Sequence, residues 1–126
     1  MIESPPCPCG SGEYYDDCCG PLVRNERAAD TAQELMRSRF SAYALGDVDH
    51  VFRTWHPATR PDDLASLPHV EWLGLEVLDV VEGGPADDEG IVEFRARHPG
   101  GEQHERSRFT RRAGRWVYLD GVATTR

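Results

Sequence analysis

Between residues 31 and 56 apolar side chains recur every three or four positions, whereas from residue 70 onward they alternate with polar ones, so the pattern predicts helices followed by strands. Thr31 with Glu34 three residues later forms a capping box that opens a helix, Leu35, Met36, Phe40, Tyr43 and Ala44 mark its buried face, and Gly46 stops it. Asp47 caps a second, shorter helix whose apolar stripe is Val48, Val51, Phe52 and Trp55 and which Pro57 ends; Pro61 to Leu67 adds one more helical turn. The first strand follows from Leu73, Leu75 and Val77, and the glycine-rich stretch from Gly83 to Gly90 is a turn. Val92, Phe94 and Ala96 then alternate against Glu93, Arg95 and Arg97, and Pro99-Gly100-Gly101 closes that strand. A third run places Glu105, Ser107 and Phe109 on one face and His104, Arg106, Arg108 and Thr110 on the other. After Ala113-Gly114, period two sets Trp116, Tyr118 and Asp120 against Val117 and Leu119. Helices first, then hairpin-linked strands with no helix between them, predict an α+β layer: an antiparallel four-stranded sheet packed on N-terminal helices.

Length and composition keep that picture to one main core. The 126 residues carry 39% hydrophobic side chains, including three tryptophans, which is not the composition of a disordered chain. The formal charge of -8 disfavours nonspecific nucleic-acid binding, and the late cluster Arg106, Arg108, Arg111, Arg112 and Arg115 reads as a solvated strand face. No apolar run reaches transmembrane length and no secretory signal opens the chain, so neither a membrane nor export is expected, and a cytoplasmic location is.

All four cysteines fall between residues 7 and 19, as Cys7-Pro8-Cys9 and the adjacent pair Cys18-Cys19. In a reducing cytosol such thiols do not persist as disulfides, and four sulfur donors on short spacers match the tetrahedral thiolate set of zinc. Redox-active thiols or an iron-sulfur ligand set are the alternatives. Four protein thiolates leave no open position for water or substrate, so a zinc held here is structural. Gly10-Ser11-Gly12 supplies the tight turn, Tyr14 and Tyr15 supply cover, and Gly20-Pro21 ends the unit. The run Cys7-Pro8-Cys9-Gly10-Ser11-Gly12, Tyr15, Cys18-Cys19-Gly20 resembles the SEC-C motif, a short zinc-binding module also found at the C-terminus of the SecA translocation ATPase. The resemblance implies Cys7, Cys9, Cys18 and Cys19 as zinc ligands. Members of that motif usually carry lysines between the cysteine pairs, and the basic module of SecA docks on an acidic chaperone, whereas this chain has Glu13, Asp16 and Asp17 there, so the acidic docking partner does not carry over.

Further stretches, Leu35 to Tyr43, Thr54-Trp55-His56-Pro57, Trp72-Leu73, and the run from His104 through Phe109 to Trp116, Tyr118, Asp120 and Gly121, resemble the YchJ-like family. Its members join a SEC-C module to a cone-shaped domain of the nuclear-transport-factor-2-like (NTF2-like) fold. The resemblance implies a knuckle over residues 1–22, an NTF2-like α+β domain with a curved sheet over residues 23–126, and a fold more readily than an activity.

A curved sheet on helices encloses a conical cavity whose inner polar groups need partners or a function. Period two turns Glu105, Ser107, Trp116, Tyr118 and Asp120 inward, with Arg37, Arg39, Tyr43, Trp55 and His56 facing them from the helices. Glu105 or Asp120 beside His56 would be the general base of a lyase or isomerase, while the structural alternative pairs Arg37 or Arg39 with the carboxylates and leaves His56 a helix-end cap. Two functions are therefore expected: a zinc-containing protein whose knuckle supports a protein-docking surface, or a small-molecule enzyme or binder using the cavity. Fold-level analogy also admits a homodimer through the exposed sheet face.

Overall fold

The computed structural model describes residues 4–64 and 70–123. A single 3-10 turn (Tyr15–Asp17) and a one-turn helix α1 (Gly20–Val23) follow the cysteine loop; helices α2 (Ala32–Leu45) and α3 (Val48–Arg53) lead into strands β1 (Gly74–Glu82), β2 (Glu89–His98), β3 (Gly101–Arg112) and β4 (Arg115–Ala123). The strands form one antiparallel sheet in the order β1-β2-β3-β4. Of the expected turn at Pro61 to Leu67, residues 65–67 lie outside the described residues.

The start of α2 follows from its cap. Thr31 Oγ1 accepts from Glu34 N at 3.0 Å, while the Glu34 carboxylate reaches one residue further back than a regular capping box and accepts from Asp30 N at 3.0 Å. Gly46 ends the helix in the left-handed region at φ 77°. α2 is buried nearly all round: Leu35, Met36 and Phe40 lie in the core as the periodicity predicts, but so do Ser38, Arg39 and Ser41. The reason is position. One side of α2 faces the sheet and the other faces the cysteine loop, where Ser41 Oγ lies 3.5 Å from Cys7 Sγ and Arg37 Nη1 donates to the Cys9 carbonyl at 3.0 Å.

Two expectations near these helices are corrected. Gly20-Pro21 is not a plain break in the chain; proline is tolerated in a first helical turn, and α1 starts there and buries Leu22 and Val23. In α3, Asp47 caps as expected, accepting from His50 N, and Val51 is buried, yet Val48 and Phe52 are exposed. The inward position between them belongs to His50, 3% exposed. Arg53 Nη2 donates to His50 Nδ1 at 3.3 Å, so the ring hydrogen sits on Nε2 and is donated at 2.9 Å to Ser38 Oγ, whose own proton goes to the Leu35 carbonyl.

Burial, reinforced by Arg53 and Arg39, pushes the His50 pKa down to about 4, with Asp47 and Asp49 opposing the shift weakly. The folded pKa is below the unfolded one, so this histidine's contribution is full above about pH 6.5 and is lost as the pH falls towards 4, a loss on the order of 3 kcal/mol. Thermal melts from pH 7 to pH 4 should therefore fall less steeply for His50→Gln than for the natural chain; parallel slopes would show that His50 is not the group responsible.

The sheet's inner face is built from Val92, Phe94, Ala96, Ser107 and Phe109, all buried as alternation predicts. The outer face carries charged ladders, with Arg106 between Asp79 and Glu93, and Glu93 bonded to His104. Both edge strands contain a bulge. In β1, Leu78 is the extra residue between the pairs Val77↔Phe94 and Asp79↔Glu93. In β4, Leu119 is extra between Tyr118↔Phe109 and Asp120↔Arg108. An extra residue bends and twists its strand, which lets the two edges turn towards the helices. At the β1–β2 turn, Gly83 and Gly90 bring two backbones together beneath Ala32, whose N–H donates to the Gly83 carbonyl at 2.9 Å.

Candidate functional site

The four cysteine sulfurs gather within 4.8 Å of one another, with Cys7, Cys9 and Cys19 buried and Cys18 half-buried. Local backbone bonds set this arrangement: Cys7 N donates to the Glu13 carbonyl, Gly10 N to the Cys7 carbonyl, and Tyr15 N to the Pro5 carbonyl, while Gly10 and Gly12 supply positive φ. The Cys9 and Cys18 sulfurs are 3.6 Å apart and those of Cys18 and Cys19 3.9 Å. A disulfide would hold two sulfurs near 2.05 Å. Tetrahedral thiolates around a cation at about 2.3 Å stand about 3.8 Å from each other, so the spacing is that of a metal site.

The electrostatics agree. Thiol hydrogen bonds, first from Cys19 and then from Cys7, hold Cys9 well below the usual thiol range. Burial pushes Cys18 up to about 11, and Cys19, hydrogen-bonded to Cys7 and Cys9 and buried, also rises. One thiolate is thus favoured at the expense of its neighbours, and four together require a cation between them. Ser11 Oγ, 3.1 Å from Cys18 Sγ, and Arg37, holding the Cys9 carbonyl, fix the ligands from outside. The four residues that the sequence singles out are therefore brought together and could hold a metal ion.

A second feature lies between α2 and the inner sheet face. A cavity of about 250 Å³ is lined by apolar and aromatic groups, among them Phe40, Trp72, Phe94 and Phe109, and by Arg39, Tyr43, Trp55, Gln103, Glu105, Ser107 and Tyr118. Glu105 Oε2 accepts from Ser107 Oγ at 2.5 Å and Tyr118 Oη at 3.2 Å, and its Oε1 accepts from Gln103 Nε2 at 3.1 Å. Burial, with Glu105 beside it, raises the Tyr118 pKa well above its ordinary value. One end of the cavity is closed where the chain after α3 pairs with β4: Tyr118 N donates to the Thr54 carbonyl and His56 N to the Tyr118 carbonyl.

Of the expected pocket residues, Arg39, Tyr43, Trp55, Glu105, Ser107 and Tyr118 line this cavity, and Arg37, His56, Trp116 and Asp120 do not. Arg37, two residues from Arg39, sits on the opposite side of α2 against the cysteine loop. His56 Nδ1 accepts from Ala58 N in a local turn beyond the end of α3, which Thr54 caps. Trp116 donates its indole N–H to the Asp30 carbonyl and lies under the Arg111 guanidinium. Asp120 is turned outward by the Leu119 bulge into a two-pronged pair with Arg108, whose guanidinium holds the Asp120 carboxyl below its usual range. Strict period two missed this. Gln103 was also missed, although it stands two residues before Glu105 on the same strand face.

Known proteins agree with the geometry. The family profile described as "YchJ, middle NTF2-like domain" matches residues 31–121. The chain belongs to the YchJ family. A UPF0225 protein of Streptomyces coelicolor is 51% identical over 120 residues, covering 95% of this chain and 97% of that protein. A UPF0225 protein of Deinococcus radiodurans is 51% identical over 122 residues, covering 93% and 88%. Among solved structures, the solution structure of a SEC-C motif containing protein from Rhodopseudomonas palustris has a TM-score of 0.75 and 40% identity over 94% of this chain and 98% of its own. The crystal structure of a SEC-C motif containing protein from Psychrobacter arcticus has a TM-score of 0.70 and 28% identity over 99% and 85%. The YchJ and SEC-C resemblances and the α+β fold read from the sequence are thereby established. No helix among the described residues is long and apolar enough to cross a membrane.

Proposed function

We infer that this YchJ-family protein is a cytoplasmic zinc protein in which Cys7, Cys9, Cys18 and Cys19 hold one structural Zn²⁺. The carrying observation is the set of four sulfurs within 4.8 Å of one another on a loop too short to form a core of its own. Zinc fits the set because it accepts four thiolates without redox chemistry or an open position. The knuckle, over residues 1–22, then offers a rigid surface on which Glu13, Asp16 and Asp17 are exposed beside Tyr14, half of whose surface is open to solvent. That surface suits a protein partner with a basic face. Purified protein should contain one zinc per chain by elemental analysis and release it on thiol modification. Well under one zinc, with four titratable thiols and an unchanged fold, would defeat this reading.

A second reading is supported by the cavity, which is open and lined by both a guanidinium and a carboxylate. The ion pair between Arg39 and a carboxylate that would make it a filled structural network is absent among the described residues. On this reading the NTF2-like domain binds a small molecule.

A further inference from the structure

Arg39 is 6% exposed, and burial lowers its pKa, as expected of a charge removed from water. Its guanidinium stands 4.7 Å from the Tyr118 ring centre, 5.0 Å from that of Trp55 and 6.0 Å from that of Tyr43, so three aromatic faces surround it. Nη1 donates to the Val51 carbonyl at 3.1 Å and to Thr54 Oγ1 at 2.8 Å. Nε and Nη2 meet no acceptor among the described residues. Glu105 is the carboxylate in the cavity and acts on Arg39 through space, but Gln103, Ser107 and Tyr118 already hold it and no direct ion pair joins the two among the described residues.

A buried guanidinium without a directly bonded counter-charge is costly, and buried charges are ordinarily paired. The arrangement makes sense when the missing carboxylate comes from outside the chain. Resting on the small-molecule reading of the cavity, we propose that the cavity binds a small organic carboxylate with a flat apolar body. Arg39 Nε and Nη2 donate to the ligand carboxylate in a forked pair, Trp55, Phe40 and Trp72 contact its body, and Glu105 accepts from a hydroxyl or amine at its other end. The forked donor geometry favours a carboxylate over a halide or a neutral amide. Glu105 Oε1, with one donor from the protein, retains acceptor capacity. A volume of about 250 Å³ lies below that of sites for drug-sized ligands, roughly 300 to 1,000 Å³, and limits the ligand to a single ring or its equivalent.

The test uses the intact, metal-loaded chain and three probes of one shape: 4-hydroxybenzoate, benzoate and 4-hydroxybenzamide. Binding is read from the indole N–H signals of Trp55 and Trp72 in nitrogen-15 NMR titrations at up to millimolar probe. Both acids should shift these signals saturably, with 4-hydroxybenzoate binding at least tenfold tighter than 4-hydroxybenzamide and several-fold tighter than benzoate. Arg39→Met should erase the preference for acid over amide, and Arg39→Lys, which keeps the charge without the fork, should reduce it. The acid and amide are compared on the natural chain, so the result stands even where a variant folds poorly. If the amide binds as tightly as the acid, the cavity is a binding site but Arg39 is not a carboxylate anchor. If no probe moves either indole, the carboxylate proposal and the small-molecule reading both fail, leaving the zinc reading untouched.

Discussion

Cys9→Ser is expected to lower the thermal midpoint by about 10 °C or more, and metal chelation from the natural chain should do the same. The size of the effect follows from where the cysteines lie. Cys9 is fully buried and Cys19 nearly so, and both belong to the same core as Leu22, Leu35 and Met36. Loss of an ion held there would therefore remove more than a surface loop. It leaves thiols crowded against Ser41 on α2 with no cation between them, and it releases the Cys9 carbonyl that Arg37 holds. Structural zinc contributes roughly 10 to 16 kcal/mol of apparent binding free energy in small zinc domains, so even a fraction transmitted through α2 is large against the 5 to 15 kcal/mol total of an ordinary domain. Serine, a poor zinc ligand of similar shape, separates metal loss from cavity formation. A midpoint unchanged by both Cys9→Ser and chelation would mean that the cysteine cluster is packed as plain thiols.

Gly90→Ala should be nearly as damaging, by about 3 kcal/mol, although it adds one methyl group. A Cβ on Gly90 would lie 2.5 Å from Gly83 Cα and 2.9 Å from Gly83 N, backbone atoms that cannot swing aside. Relief requires β1 and β2 to part at their hairpin, or the turn to move away from Ala32 and the first turn of α2. Gly46→Ala is the control. Gly46 has φ 77° and open space around it, so alanine there costs only the left-handed conformation, about 1 kcal/mol. Denaturant melts of the two variants should differ severalfold in lost stability; equal losses would show that the close approach at the hairpin is not what constrains Gly90.

The contrast also shows which parts of the molecule are written in local chemistry. The Thr31 and Asp47 caps, the Gly46 stop, the alternation in β2 and β3 and the cysteine ligand set each depend on a few neighbouring residues, and each is legible in the chain. What escaped reading depends on a third body. Val48 and Phe52 have the spacing of a buried stripe, but α3 rests on the Ser38 side of α2 and turns His50 inward instead. Arg37 and Arg39 are alike as residue types; the cysteine loop claims one and the sheet the other. Asp120 is misplaced by period two because the extra residue, Leu119, has no marker in the sequence.

The bulge at Leu119 decides what kind of interior this fold encloses. Without it, with Leu119 paired as an ordinary strand residue, Asp120 would share the inner face of Tyr118, and the hollow would carry two carboxylates to one guanidinium and repel anions. With it, the second acid is exported to the outer surface and neutralised by Arg108. A bulge in an edge strand thus works as a charge selector for the interior. YchJ-family chains in which this strand runs without a bulge and keeps an acid two residues after the tyrosine are expected to hold cations, or nothing, where this one presents Arg39.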